Sequence, residues 1–192
     1  MFHKSLNKEI LVTASTELIE EKGMVTFSMR ALADKLNVKT ASLYTHIESM
    51  EDLFTAVGLY ALKMQKNAQL SAVHGLNRDS AVLALADISR NFAKEHAELY
   101  RLIMQMPAGK NETLKSAAAM TAEPAMQVLS DYHIPELRKM HWQRVLRGVI
   151  HGFISQENAG YFSHYPVDIK DSYRLAVQCI ITGLHEEEKQ NE

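Results

Sequence analysis

Cysteine is nearly absent from this sequence: Cys179 stands alone among 192 residues. One thiol excludes an intramolecular disulfide and any zinc site built from several cysteines. It fits a reducing cytoplasm, the expected location. Proline (four) and glycine (eight) are scarce and gather where helices should stop. No apolar run approaches the ~18 residues that a membrane span needs, so no membrane partner is expected. The opening Met1-Phe2-His3-Lys4-Ser5 leads straight into an amphipathic pattern, without the apolar core of a signal peptide. Charge of one sign is missing too. The net charge is -2, and within residues 1–50 Lys4, Lys8, Lys22, Arg30, Lys35 and Lys39 are balanced by Glu9, Glu17, Glu20, Glu21, Asp34 and Glu48. Bulk charge therefore gives no sign of a nucleic-acid partner, and such a partner has to be sought in where single charges sit. Repeats, low-complexity tracts and strand-like alternation are also lacking.

What is present is a helical sequence of 46% hydrophobic and 23% charged residues, in the range of a globular protein. The length suits one compact domain or a small head on a larger body. Leu6, Ile10, Ala14 and Leu18 recur every four residues, widened by Leu11 and Ile19, and predict a first helix ending at Lys22-Gly23. Ser28 is placed to cap a short second helix carrying Met29, Leu32, Ala33 and Leu36 on one face. Asn37-Val38-Lys39 reads as a tight turn, and a third helix should cover Thr40 to His46 with Leu43 and Ile47 inward. Ser49 should cap a fourth helix running to about residue 72, with Glu51 and Asp52 at its positive end. Five more helices are expected: about Asn77–His96, Ala97–Met106, Asn111–Tyr132, Pro135–Tyr161 and Ile169–Glu187.

Two short helices joined by a few residues suit a helix-turn-helix, whose second helix enters the major groove. Such a reader must turn small and polar side chains outward and apolar ones inward. Thr40, Ala41, Ser42, Tyr44, Thr45 and His46 can face out while Leu43 packs. The stretch from Thr26-Phe27-Ser28-Met29-Arg30-Ala31-Leu32-Ala33 through Asn37-Val38 to Leu43-Tyr44-Thr45-His46-Ile47, with Glu51-Asp52-Leu53 after it, resembles the DNA-binding head of the TetR family of bacterial regulators over about residues 5–55. The resemblance implies that Thr26, Tyr44 and His46 bond phosphates. It also sets Lys39, Thr40, Ala41, Ser42 and Thr45 nearest the base edges, with Arg30 reaching in from the second helix and Ser28 at its cap. Two departures stand out. Asn37 replaces the usual Gly of the turn, which Asn tolerates. Met50 replaces a frequent phosphate-binding Lys beside Glu48, which should weaken non-specific binding and flatten its salt dependence.

The implied fold is all-α: a three-helix head with the helix-turn-helix (residues 1–48), and an about six-helix ligand-sensing and dimerisation body (49–192) that forms a four-helix bundle with a second copy. For that homodimer interface the apolar stripes offer Leu146, Ile150, Phe153 and Ile154, and Val177, Ile180, Ile181 and Leu184, with Gly148 and Gly152 allowing close approach. Gly148-Val149-Ile150-His151-Gly152-Phe153 resembles a C-terminal subtype with a His-Gly pair. The methionine-rich body suggests an apolar or aromatic small-molecule effector, with Met64, Phe92, His96, Tyr100, Met104, Met126, Trp142 and His151 as candidate contacts.

Other chemistry finds no pattern. His133, His141, His151 and His164 lack metal-ligand spacing. No phosphate-binding glycine loop occurs, and Ser155 near His151 has no third partner. Glu186-Glu187-Glu188 reads as a solvated, frayed end. No cofactor, metal or catalytic residue is therefore expected. The expected function is a DNA-binding regulator, a repressor released from a pseudo-palindromic operator by its effector. The alternative is an all-α ligand carrier or small enzyme without DNA function, which the near-neutral head and Met50 would suit.

Overall fold

Caps and turns written in the sequence set where the helices begin. A computed structural model of the chain describes residues 6–107, 110 and 112–191, and among these regular structure is helical with no strand. The Asn7 side chain accepts the Ile10 N–H at 2.9 Å and opens α1 (Lys8–Lys22). Gly23 closes it at φ +80°, donating its N–H to Ile19 O. A short 3-10 turn, Met24–Thr26, follows, which the apolar pattern does not foreshadow. Ser28 accepts the Ala31 N–H at 3.1 Å and starts α2 (Met29–Leu36). Then come α3 (Thr40–Leu43) and α4 (Met50–Val73), the latter opened by the Asp52 N–H donating to Ser49 Oγ at 3.1 Å. The rest is α5 (Arg78–Glu95), α6 (Ala97–Gln105), α7 (Glu112–Met120), α8 (Glu123–Leu129), α9 (Glu136–Asn158) and α10 (Ile169–Lys189).

One expected helix is two. The span Asn111–Tyr132, whose first residue lies outside the described residues, divides into α7 and α8 around Thr121-Ala122. Pro124 explains the break: it has no N–H to give the Met120 carbonyl, and its ring would collide with that carbonyl. Proline is tolerated in a first helical turn, where it sits in α8. Pro135, in contrast, stands just before α9 in extended backbone, with ψ 142°.

The chain forms two compact units, and the division falls inside α4 between Met64 and Gln65. One unit joins the residues up to Met64 with Lys94–Ala117. In it α1 packs on α2 and α6, around Leu11, Ile19, Leu32, Leu43, Leu53 and Leu99, each fully buried. Phe27 tilts against Phe54 at 5.2 Å between ring centres. Glu98 on α6 accepts the Met24 N–H at 3.1 Å, and Lys8 pairs with Asp52 at 3.0 Å. Thus the three head helices close their core with part of α4 and with α6.

The second unit comprises Gln65–Ala93 and Ala118–Glu192, with α9 packed on α8 and α10. Buried polar ties fasten it. Arg90 holds Glu157 through two bonds of 2.6 and 2.7 Å, and Tyr173 donates to Ala86 O at 2.7 Å. Of the C-terminal glutamates, Glu186 is exposed, but Glu187 and Glu188 are not a frayed, solvated end. Glu187 accepts two bonds of 2.6 Å from Arg138. Glu188, buried, accepts from both Arg78 terminal nitrogens and, at 2.6 Å, from the His133 N–H. The distant Arg78 and Arg138 are what turn this charge run into a structural anchor for α10.

Candidate nucleic-acid interface

The α2–α3 corner is built by a left-handed residue. Asn37 adopts φ 53°, ψ 47°. Its N–H reaches Asp34 O at 3.2 Å, and the Val38 N–H reaches Ala33 O at 3.0 Å. These two bonds are the pair by which a left-handed residue satisfies the last carbonyls of a helix. Lys39 then runs extended at φ -76°, ψ 142°, and α3 begins at Thr40. Regular helix covers only Thr40–Leu43; turns continue through His46, whose N–H donates to Leu43 O at 3.0 Å. Leu43 and Ile47 point into the core, 0% and 3% exposed. The inward leucine is thus fixed, and the opposite face is left to polar groups.

That face carries the residues read from the sequence. Lys39, Ala41, Tyr44 and Thr45 are exposed, and Thr40, Ser42 and His46 half-buried. Tyr44 is 51% exposed, so its ring is not a core element. Thr26, Ser28 and Arg30 are exposed as well. Their hydrogen-bonding capacity differs. Thr26 Oγ1 already donates to Lys22 O at 2.5 Å, so in this arrangement its proton is not directed to a phosphate. Ser28 accepts in its capping bond and keeps its proton to donate. Thr45 Oγ1 donates to Ser42 O at 2.7 Å.

Charge placement settles what the net balance could not. Lys35 is engaged by Glu17 at 3.1 Å and Glu21 at 3.3 Å, its pKa raised chiefly by the Glu17 hydrogen bond. Lys8 is engaged by Asp52. Arg30 and Lys39 enter no ion pair among the described residues, and both flank the polar face of α3. The near-zero charge of the head therefore hides an uneven distribution: acidic partners engage Lys8 and Lys35, and the α2–α3 face keeps Arg30 and Lys39. Met50, 44% exposed, adds none.

In the body, most of the apolar residues read as an interface are inside one chain. Leu146, Ile150, Ile154, Val177, Ile180, Ile181 and Leu184 are all 5% exposed or less, and only Phe153 is half-buried, against Tyr173 at 5.0 Å. A helix packed on two neighbours of its own chain spends its strongest apolar stripe there. The exposed side of α9 and α10 carries Val145, Gly148, Gly152, Leu175, Gln178, Cys179 and Thr182. Of the effector candidates, Met64, His96, Tyr100 and Met104 belong to the first unit, and Phe92, Met126, Trp142 and His151 to the second. Tyr100 is buried, its pKa pushed up to about 12 by desolvation. His96 pairs with Glu20 through Nδ1. Met104 is 53% exposed. His151, half-buried, has its pKa pushed down to about 4, first by burial and then by neighbouring Arg147. Sequence reasoning missed Gln65, 4% exposed, whose Nε2 has no hydrogen-bond partner. A single glutamine in a helical pattern carries no sign of being turned inward.

Comparison with known proteins decides the family. Residues 11–57 match the family described as bacterial regulatory proteins, tetR family. Residues 82–180, half of the chain, match a Tetracyclin repressor-like C-terminal domain. The chain belongs to the TetR family. Family relatives include an HTH-type transcriptional regulator of Mycobacterium tuberculosis, 29% identical over 85% of this chain and 75% of its own. Another, the regulator YobS of Bacillus subtilis, is 25% identical over 93% of each chain. The fold is shared with a TetR variant of Acinetobacter baumannii solved with minocycline, at TM-score 0.70, 19% identity and coverage of 96% and 99%. The protein is a DNA-binding regulator of transcription with an N-terminal helix-turn-helix. No helix among the described residues is long and apolar enough to cross a membrane.

Proposed function

We propose that this TetR-family protein is a repressor whose two copies grip a pseudo-palindromic operator and let go when a small molecule binds the body. Residues 1–48 form the DNA-binding part and 49–192 the sensing and dimerising part. The observation that carries the DNA reading is the α2–α3 face: an inward Leu43 and Ile47 with exposed polar side chains and two uncommitted cations beside them. Tyr44, His46 and Ser28 contact phosphates, while Lys39, Thr40, Ala41, Ser42 and Thr45 approach base edges and Arg30 supports them. Thr26 spends its hydroxyl proton on the Lys22 carbonyl and holds its turn in place, so a phosphate bond from it requires that hydroxyl to turn outward. The half-sites lie roughly 34–36 Å apart or a multiple of that. The minocycline complex of the Acinetobacter TetR variant supports a small-molecule effector for this fold. Effector binding favours a dimer conformation whose two reader helices cannot span both half-sites, which requires differential affinity for the two states.

The face available for pairing is the exposed side of α9 and α10. Gly148 and Gly152 lie one helical turn apart there, and a methyl added at either meets nothing of its own chain within 4 Å. A partner helix can approach closely over such a surface.

The test is selection of bound fragments from random DNA, followed by titration of the enriched site by fluorescence anisotropy. An enriched palindrome bound by a dimer is expected. Tyr44→Ala should weaken it about tenfold or more while leaving mass and helicity intact, because this side chain is half in solvent. Arg30→Ala should weaken binding of the enriched site and relax its sequence preference, as losing a cation beside the base edges does. Unchanged affinity in Tyr44→Ala would refute the placement of α3 on DNA.

A further inference from the structure

Resting on the reading of the α2–α3 face as the DNA contact, we propose that Glu98 of α6 is a positioning residue for DNA binding. It fixes the 3-10 turn Met24–Thr26 from the inward side, and with it the phosphate-facing start of α2. Glu98 lies 74 positions beyond Met24, outside residues 11–57 that match the family's DNA-binding part.

The corner between α1 and α2 has little to hold itself. Gly23 ends α1 at φ +80°, ψ 157°. The 3-10 turn after it is three residues long and closes with the Phe27 N–H on Met24 O at 3.3 Å. A single turn of this kind is a weak element, because its hydrogen bonds are poorly aligned. Its outward side meets solvent: Val25 is 94% exposed, and Thr26 is exposed. The orientation of the turn is therefore set from within.

Glu98 supplies that hold. Its Oε2 accepts the Met24 N–H at 3.1 Å, and its carboxylate lies 3.8 Å from where a Cβ on Gly23 would stand. The other oxygen, Oε1, pairs with Arg101 at 2.9 Å, which steadies the carboxylate. A backbone N–H held by a carboxylate makes a bond roughly twice as strong as one between neutral groups. The platform beneath is firm. Leu99 and Leu102 of α6 enter the head core with Leu11 and Ile19, and Tyr100 is buried. His96, just before α6, pairs through Nδ1 with Glu20 of α1. The α6 segment thus grips the end of α1 and the turn that follows it.

What the turn delivers is the start of α2. Phe27 comes next, buried against Phe54, and Ser28 then caps the helix while keeping its proton to donate. Hydrogen bonds weaken steeply with misalignment, so a turn that drifts takes the phosphate contacts of this corner with it.

The test compares Glu98→Gln with Glu98→Ala in the full chain. Both remove the same negative charge, which by itself leaves DNA binding unchanged or tighter. Only glutamine keeps an oxygen for the Met24 N–H. Anisotropy at 25 °C reads binding to the selected operator and to an unrelated duplex of equal length, with thermal unfolding and hydrogen exchange of the Met24 amide on the same samples. Glu98→Gln should bind both duplexes within about twofold of the parent chain, since it keeps the bond. Glu98→Ala should bind both about tenfold more weakly with its operator preference kept, because phosphate contacts carry no sequence information. It should do so while fully folded, with a Met24 amide that exchanges about tenfold faster or more. Parent-like affinity in Glu98→Ala, equal weakness in Glu98→Gln, or a Met24 amide exchanging at the parent's rate would each overturn the inference and leave the DNA reading standing. A loss confined to the operator, or one that emerges only near the melting temperature, would overturn it as well, assigning Glu98 to base reading or to the fold alone. A parent chain that binds neither duplex would overturn the DNA reading and this inference together.

Discussion

Adding one methyl at Gly183 sets two opposed effects against each other, and the local geometry says which wins. Gly183 lies inside α10, where replacing glycine by alanine ordinarily stabilises a helix by about 1 kcal/mol. Here a Cβ would stand 2.5 Å from Trp142 Cη2, and 3.3 and 3.4 Å from the adjoining ring carbons. The indole cannot swing aside freely. Its Nε1 donates to Glu187, which Arg138 holds through two bonds of 2.6 Å. Overpacking of this kind costs about 1–3 kcal/mol. The net expectation for Gly183→Ala is a loss of about 1 kcal/mol, or about 2–4 °C in melting temperature for a chain of this length. Trp142 is the only tryptophan, so its emission reports the same contact directly. Emission should shift to the red as the indole is pushed toward solvent, and the melting temperature should fall. The reference is Gly148→Ala at protein concentrations low enough to keep the chain monomeric, because that Cβ meets nothing within 4 Å of its own chain. A melting temperature that rises in Gly183→Ala as it does in Gly148→Ala, with emission unmoved, would mean that the indole is not wedged against α10.

Three further expectations come from single contacts. Asn37→Ala should cost about 1 kcal/mol by urea unfolding, because φ +53° is strained for alanine, while Asn37→Gly should be close to neutral. Glu157→Ala should cost about 3–5 kcal/mol by stranding Arg90, which is 11% exposed like its partner, and Arg90→Met with Glu157→Leu together should recover most of that. The pH dependence comes from His151, whose folded pKa of about 4 lies below its ordinary 6.5. The unfolded chain binds that proton first, so stability is complete above pH 6.5 and falls between 6.5 and 4, by at most roughly 1.4 kcal/mol per pH unit. His151→Asn should flatten the melting-temperature profile in that window; a profile identical to that of the parent chain would contradict the burial of the ring.

The caps and the turn are legible in the sequence because they are local. Asn37 takes the left-handed conformation, and Ser28 and Ser49 accept the N–H groups three residues on, as their spacing implies. Each of these bonds closes within a few residues, so chain order alone brings the partners together. Periodicity likewise marks Leu43 and Ile47 as inward and leaves the polar side of α3 outward. Other features depend on partners far apart in the chain, which only the folded arrangement brings together. The break between α7 and α8 has a local sign, Pro124, but the fate of Glu188 depends on Arg78, 110 residues away. The apolar stripes of α9 and α10 resemble an interface because periodicity reports that a face is covered, not whether its own chain or a second copy covers it. Charge counting fails in the head for a similar reason: Lys8 and Lys35 are neutralised by partners on neighbouring elements, so tertiary packing alone shows that Arg30 and Lys39 are the cations left beside the reader helix.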